Sequence, residues 1–105
     1  MIELTKENFE EQVLNGGAVL VDFWSPKCEP CMELLPEVEA FAERNAGRAK
    51  FCKLDTAGNK RLAISQKVMG IPTMVIYKDG EKVHVFDKES IDFDVIQDKL
   101  NELLA

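Results

Sequence analysis

The sequence predicts a three-layer α/β/α sandwich around a mixed five-stranded sheet. Three observations carry the prediction. The first half of the chain alternates strand-like and helix-like patterns of apolar residues. Residues 18–24, AVLVDFW, are apolar on both faces, as a central strand covered by helices on both sides must be. Two further strand-like runs are joined by Asp79-Gly80, a two-residue turn of the type that requires positive φ.

The elements follow in order. Ile2 to Leu4 reads as a short strand. Thr5 is placed to cap a first helix with Phe9, Val13 and Leu14 on its apolar side, ending at Gly16-Gly17. The central strand, residues 18–24, runs into the loop SPKCEPC, and a long helix then extends to about Asn45. Leu34, Leu35, Val38, Phe41 and Ala42 give this helix a buried side, and Pro36 inside the pattern predicts a kink. Lys50 to Asp55 is a third strand, and Asn59 caps a short helix through about Lys67. Thr73 to Lys78 and Glu81 to Phe86 form the hairpin. A last helix begins near Ser90 to Asp92 with Val95, Ile96, Leu100, Leu103 and Leu104 inward. The βαβαβ half admits only right-handed parallel crossovers. No repeat or linker divides the chain, which reads as one domain over residues 1–105.

Composition narrows the function. Apolar residues make up 46% and charged residues 30%, the balance of a globular protein and not of a disordered or collagenous one. The formal charge of −6 opposes the phosphates of nucleic acids and anionic lipid, so neither is an expected partner. The N-terminus has no apolar stretch of signal-peptide length, and the longest apolar run, Ala18 to Val21, is far short of a membrane span. The expected setting is the cytoplasm, where structural disulfides do not persist, and the expected state is a monomer. The three cysteines are too few, and odd in number, for a disulfide-stapled secreted miniprotein.

Two of them stand where a central strand ends and a helix begins, the place at which α/β sheets put their chemistry. Pro30 falls in the first helical turn, where its missing N–H costs nothing. Cys28 then lies at the helix start, among free backbone N–H groups and the positive end of the dipole, and both stabilise a thiolate nucleophile. Cys31, one turn on, is within reach of a mixed disulfide formed on Cys28. The competing reading is a zinc site, with Cys52 and His84 nominally completing a Cys3His set, but a second paired-ligand motif is missing and no metal is expected.

Residues 21–31, VDFWSPKCEPC, followed by GIPT at 70–73, resemble the thioredoxin family, in register over essentially the whole chain. The resemblance implies the fold derived above and reversible thiol–disulfide exchange on protein substrates, with the Cys28–Cys31 pair as redox centre and no metal or organic cofactor. Cys28 then corresponds to the attacking nucleophile and Cys31 to the resolving thiol. Asp22 matches a buried acid beneath the pair, expected to have a raised pKa and to accept the proton of Cys31. Lys53 matches the lysine that pairs with this acid. Pro72 matches a cis-proline facing the disulfide, with the Ile71 backbone offering strand-like hydrogen bonds to a substrate chain. Trp24 corresponds to an aromatic shelf beside the site, or equally to a core anchor. The implied partners are disulfide-containing proteins and a thioredoxin-reductase-type flavoprotein that restores the dithiol.

Departures from the family pattern fall around the site. Lys27 and Glu29 stand where the family usually has Trp and Gly; the first favours the Cys28 thiolate and the second disfavours it. Residues 85–91 lack the family's glycine, with Asp87, Lys88 and Glu89 in its place. These departures motivate a second reading, a non-catalytic binding or assembly module on the same fold. Residues 60–73, KRLAISQKVMGIPT, are similar to thioredoxins that serve the glycine reductase system of amino-acid-fermenting anaerobes. Cys52, between Phe51 and Lys53, reads as a small buried hydrophobe, and His84 as a surface residue. Met32, Met69 and Met74 suit core packing or an adaptable apolar groove.

Overall fold

A computed structural model describes residues 1–105. Its sheet has strand order β1-β3-β2-β4-β5, with β1 Ile2–Glu3, β2 Ala18–Trp24, β3 Lys50–Asp55, β4 Thr73–Lys78 and β5 Glu81–Phe86. β1 and β2 both run parallel to β3, whereas β4 is antiparallel to β2 and to β5. The sheet is mixed and five-stranded, as expected, and β2 is central because its residues are apolar on both faces. Val19, Val21 and Phe23 pack with Leu4, Phe9, Val13 and Leu54 on one face. Leu20 joins Val38, Phe41, Met74, Ile96 and Leu100 on the other, under helices α1 Glu29–Arg44 and α3 Phe93–Leu104.

Most of the predicted boundaries hold to within two residues. The hairpin is as read: Asp79 and Gly80 have φ of 51° and 87°. A Cβ on Gly80 would also lie 2.9 Å from the Leu14 carbonyl oxygen, so glycine is required twice over. α3 is capped by Asp92, whose side chain accepts from the N–H groups of Asp94 and Val95. Asn45 ends α1 and is itself buried; its Nδ2 donates to the Phe41 carbonyl and to Gln97 Oε1, both at 2.9 Å, which fastens α1 to α3.

Four details differ from the expectation. The segment expected as the first helix is a turn followed by a π-helical stretch, Glu10–Leu14, although Thr5 Oγ1 does accept from the Glu7 N–H. Val95 is exposed while Ile96 and Leu100 are buried, because residues one apart on a helix face different ways. Asn59 makes no side-chain cap; its Nδ2 donates to the Asp55 carbonyl, while Asp55 Oδ1 takes the Ala57 N–H at 2.9 Å and so holds the turn that leads into the helix.

The fourth difference is the end of α2, Lys60–Ser65. Val68 N–H bonds back to the Ala63 carbonyl and Lys67 N–H to that of Ile64, the double closure that usually has glycine in left-handed backbone. Here the residue is Lys67, with φ of 63°. A side chain costs about 1 kcal/mol in that conformation. The Lys67→Gly variant is therefore expected to be more stable than the parent by about 1 kcal/mol in urea unfolding. A loss of stability would mean that contacts of the Lys67 side chain outweigh the strain.

Candidate redox site

The loop after β2 is set by Ser25, which is buried. Its carbonyl accepts from Cys28 N–H at 3.0 Å and its Oγ from Lys27 N–H at 3.2 Å. The turn delivers Cys28 to the N-cap of α1 in extended backbone, and Pro30 occupies the first turn as expected. Cys28 Sγ accepts the Cys31 N–H at 3.2 Å, so the sulfur takes the place a capping oxygen would take. In the structure the two cysteines are joined as a disulfide with their Cα atoms 5.2 Å apart. Cys28 is half-buried and Cys31 only 2% exposed, so an incoming group meets Cys28 first. Lys27, Glu29 and Pro30 are exposed around it.

Asp22 sits on the sheet face that α1 covers, one strand turn before Trp24 and 3% exposed. Burial pushes its carboxyl up from 3.8 to about 7, and the positive charge of Lys53 opposes part of that rise. Lys53 is directly across from Asp22 in the β2–β3 register. The two are not in contact, however: the one ammonium–carboxylate pair within 4.0 Å in the chain is Lys99–Glu102. Lys53 Nζ instead lies 4.9 Å from the centre of the Trp24 ring, a cation–π placement. Trp24 is half-buried, and its Nε1 is enclosed without a hydrogen-bond partner.

The Ile71–Pro72 peptide is cis. Thr73, the next residue, is paired with Phe23 on β2, which brings the Gly70-Ile71-Pro72 turn to the same end of the sheet as the disulfide loop. Thr73 Oγ1 fixes the turn by donating to the Gly70 carbonyl at 2.6 Å. Pro72 is buried and Ile71 half-buried; the Ile71 N–H and C=O have no partner within the chain. Sequence reasoning passed over Ser25 and Thr73 because an isolated hydroxyl carries no periodic signal, although both lie inside the motifs it recognised. Met74 packs in the core, whereas Met32 and Met69 are exposed, Met69 to 83%.

The nominal zinc set is not assembled. Cys52 lies on β3 and His84 on β5, with β2 and β4 between them, a separation of about 14 Å at ordinary strand spacing. Cys52 is fully buried, with its thiol pushed up to about 11 chiefly by that burial, which leaves it a packed, unreactive group.

A half-buried sulfur at a helix start, joined as a disulfide to a buried partner one turn on, defines a protein of dithiol–disulfide exchange. Comparison with known proteins agrees. The thioredoxin family model matches residues 1–102. A thioredoxin of Acetoanaerobium sticklandii is 50% identical over 90 residues, covering 85% of this chain and 86% of that protein. Another, from Peptoclostridium acidaminophilum, is 39% identical over 106 aligned positions, covering 100% and 93%. Among solved structures, a mutant thioredoxin from Halobacterium salinarum NRC-1 superposes with a TM-score of 0.85 at 30% identity, covering 99% of this chain and 90% of that one. The chain belongs to the thioredoxin family. It is a thiol–disulfide oxidoreductase, and its activity is dithiol–disulfide exchange of the kind that reduces protein disulfides. The same findings support this activity over the reading of the fold as a non-catalytic module. The family in general works with disulfide substrates and a thioredoxin reductase and needs no added cofactor.

Proposed function

We propose that the chain acts as a single-domain reductant of partner proteins, with Cys28 as nucleophile, Cys31 as resolving thiol and Asp22 as the base that serves Cys31. The observation that carries the assignment is the unequal exposure of the two sulfurs. The Cys28 thiolate attacks one sulfur of a substrate disulfide; that S–S bond breaks, a mixed disulfide forms on Cys28, and the first substrate thiolate leaves. Cys31 then gives its proton to the Asp22 carboxylate and attacks Cys28 Sγ. The mixed disulfide breaks, the second substrate thiolate leaves, and the Cys28–Cys31 disulfide retains the oxidation that two electrons have left behind. Lys53, which faces Asp22 and lies over Trp24, tunes this acid through space.

Trp24, Lys27, Glu29, Pro30, Ile71 and Pro72 form the docking rim in this reading. The free N–H and C=O of Ile71 support it, since they can pair with an extended substrate chain. A thioredoxin-reductase-type flavoprotein returns the two electrons, and a reductant of this kind belongs in a reducing compartment such as the cytoplasm. The similarity of residues 60–73 supports delivery of electrons to a glycine reductase system. The test is reduction of a disulfide-bonded protein such as insulin by the purified dithiol form, with thiol counts and metal content measured before and after. Loss of the substrate disulfide with formation of Cys28–Cys31 is expected. No reduction, or stoichiometric zinc retained on the reduced protein, would sink the proposal.

A further inference from the structure

Lys67 occupies a backbone conformation that favours glycine, and such positions cluster where function constrains the chain. A second lysine meets it there. Lys82, on β5, donates from Nζ to the carbonyl of Gln66, the residue before Lys67. Gln66 is held in turn by Tyr77, whose hydroxyl donates to Gln66 Oε1 at 2.8 Å. Burial and the charge of Lys67 both lower the pKa of Lys82. Neither lysine has a carboxylate within 4.0 Å.

The pair stands along one groove with Met69, Ile71, Pro72 and Val85. Asp87, Lys88 and Glu89 line the same groove. Asp87 is engaged in its own turn, where Oδ1 accepts from the Glu89 and Ser90 N–H groups at 3.1 Å and from Ser90 Oγ at 3.0 Å. That leaves Glu89 as the groove's free carboxylate. Three lysines against two carboxylates give the groove a charge of +1, on a chain whose total is −6.

We propose that this groove selects among substrates by taking an acidic side chain, Asp or Glu, of the substrate protein on the Lys67–Lys82 pair while the substrate's cysteine lies at Ile71–Pro72. The inference rests on the protein-disulfide reductase reading above and adds the chemistry of its substrate. From Lys67 to Pro72 an extended chain spans at most roughly 17 Å, so the acidic residue falls within about five positions of the reacting cysteine. The acidic remainder of the surface repels acidic proteins in general, so the local pair serves discrimination more than overall affinity.

The experiment measures the rate at which the reduced protein cleaves two disulfide-bridged peptides of one sequence, differing only in Glu or Gln three positions from the cysteine. The Glu peptide is expected to react roughly fivefold faster at low salt, the worth of about one exposed charge pair. The ratio is expected to fall toward one at high salt, and also in the Lys67→Gly and Lys82→Gln variants. A ratio of one in the parent overturns the inference. So does a ratio that survives in either variant that folds, because the preference then arises elsewhere, for instance at Lys27. If neither peptide is reduced, it is the reductase reading that fails, and this inference with it.

Discussion

Replacing Cys31 by serine is expected to stop turnover and to leave the protein covalently attached to its substrate. Cys28 is the half-exposed sulfur at the start of α1, with backbone N–H groups to stabilise its thiolate, and these features persist in Cys31→Ser. The attack still occurs, but the resolving thiol is gone. Resolution then depends on a thiol from solution, and losing the intramolecular partner lowers the rate by a factor on the order of 10³ or more. Non-reducing electrophoresis should show a stoichiometric adduct that dissociates on addition of a small dithiol, and mass spectrometry of that adduct from cells would name the partner. The companion variant, Cys28→Ser, should give no adduct, because Cys31 is 2% exposed and an incoming disulfide cannot reach it. The opposite pattern, capture by Cys28→Ser alone, would exchange the two roles.

The second large effect is on Asp22. Its carboxyl ionises at 3.8 when exposed and at about 7 in the fold, because burial penalises the charge more than Lys53 favours it. The folded state therefore holds this proton more tightly than the unfolded chain does. The contribution of the neutral acid to stability is complete below pH 4, declines as pH rises, and is lost above about pH 7. Over that window the full linkage amounts to roughly 4 kcal/mol, at about 1.4 kcal/mol for each tenfold change in affinity. Asp22→Asn has no charge to bury, so urea unfolding at pH 8 should find it more stable than the parent by about 2 to 4 kcal/mol. The two proteins should converge near pH 4. Parallel stability curves across this range would show that Asp22 does not titrate within it. The same variant should resolve mixed disulfides more slowly at pH 7, on the order of 10²-fold if Asp22 is the base for Cys31. Gain of stability without loss of rate would keep the burial argument and discard the catalytic one.

The strands could be read from the sequence because burial imprints a period. β2 is apolar on both faces except at Asp22, since the core covers both sides of the sheet there, and the hairpin carried its own register in Asp79-Gly80. The Cys28–Cys31 site was legible for a related reason: a cysteine pair at a strand–helix junction has few structural uses. Spatial neighbours far apart in sequence left no such mark. Lys53 reads as the partner of Asp22, yet its ammonium settles over Trp24, where it keeps contact with water and with the ring. Asn59 has the right residue type to cap α2, but Asp55 supplies the bonds that hold the preceding turn. Lys67 hides a left-handed position behind a residue that does not announce one. Its meeting with Lys82 depends on a bond to the Gln66 carbonyl that no pattern encodes.

Pro36 has a bearing on how the site moves. Lacking an N–H, it leaves the Met32 carbonyl without its bond inside α1, one residue beyond Cys31. The opening turns of the helix are thereby tied less tightly to the stretch that holds Val38 and Phe41 in the core. Amide exchange should find two separately fluctuating pieces, a soft one around the sulfurs and a slow one beyond the proline. Forming or breaking the bond between Cys28 and Cys31 is then expected to displace the soft piece alone. On that expectation the protein passes between its oxidised and reduced forms while the rest of the helix stays put.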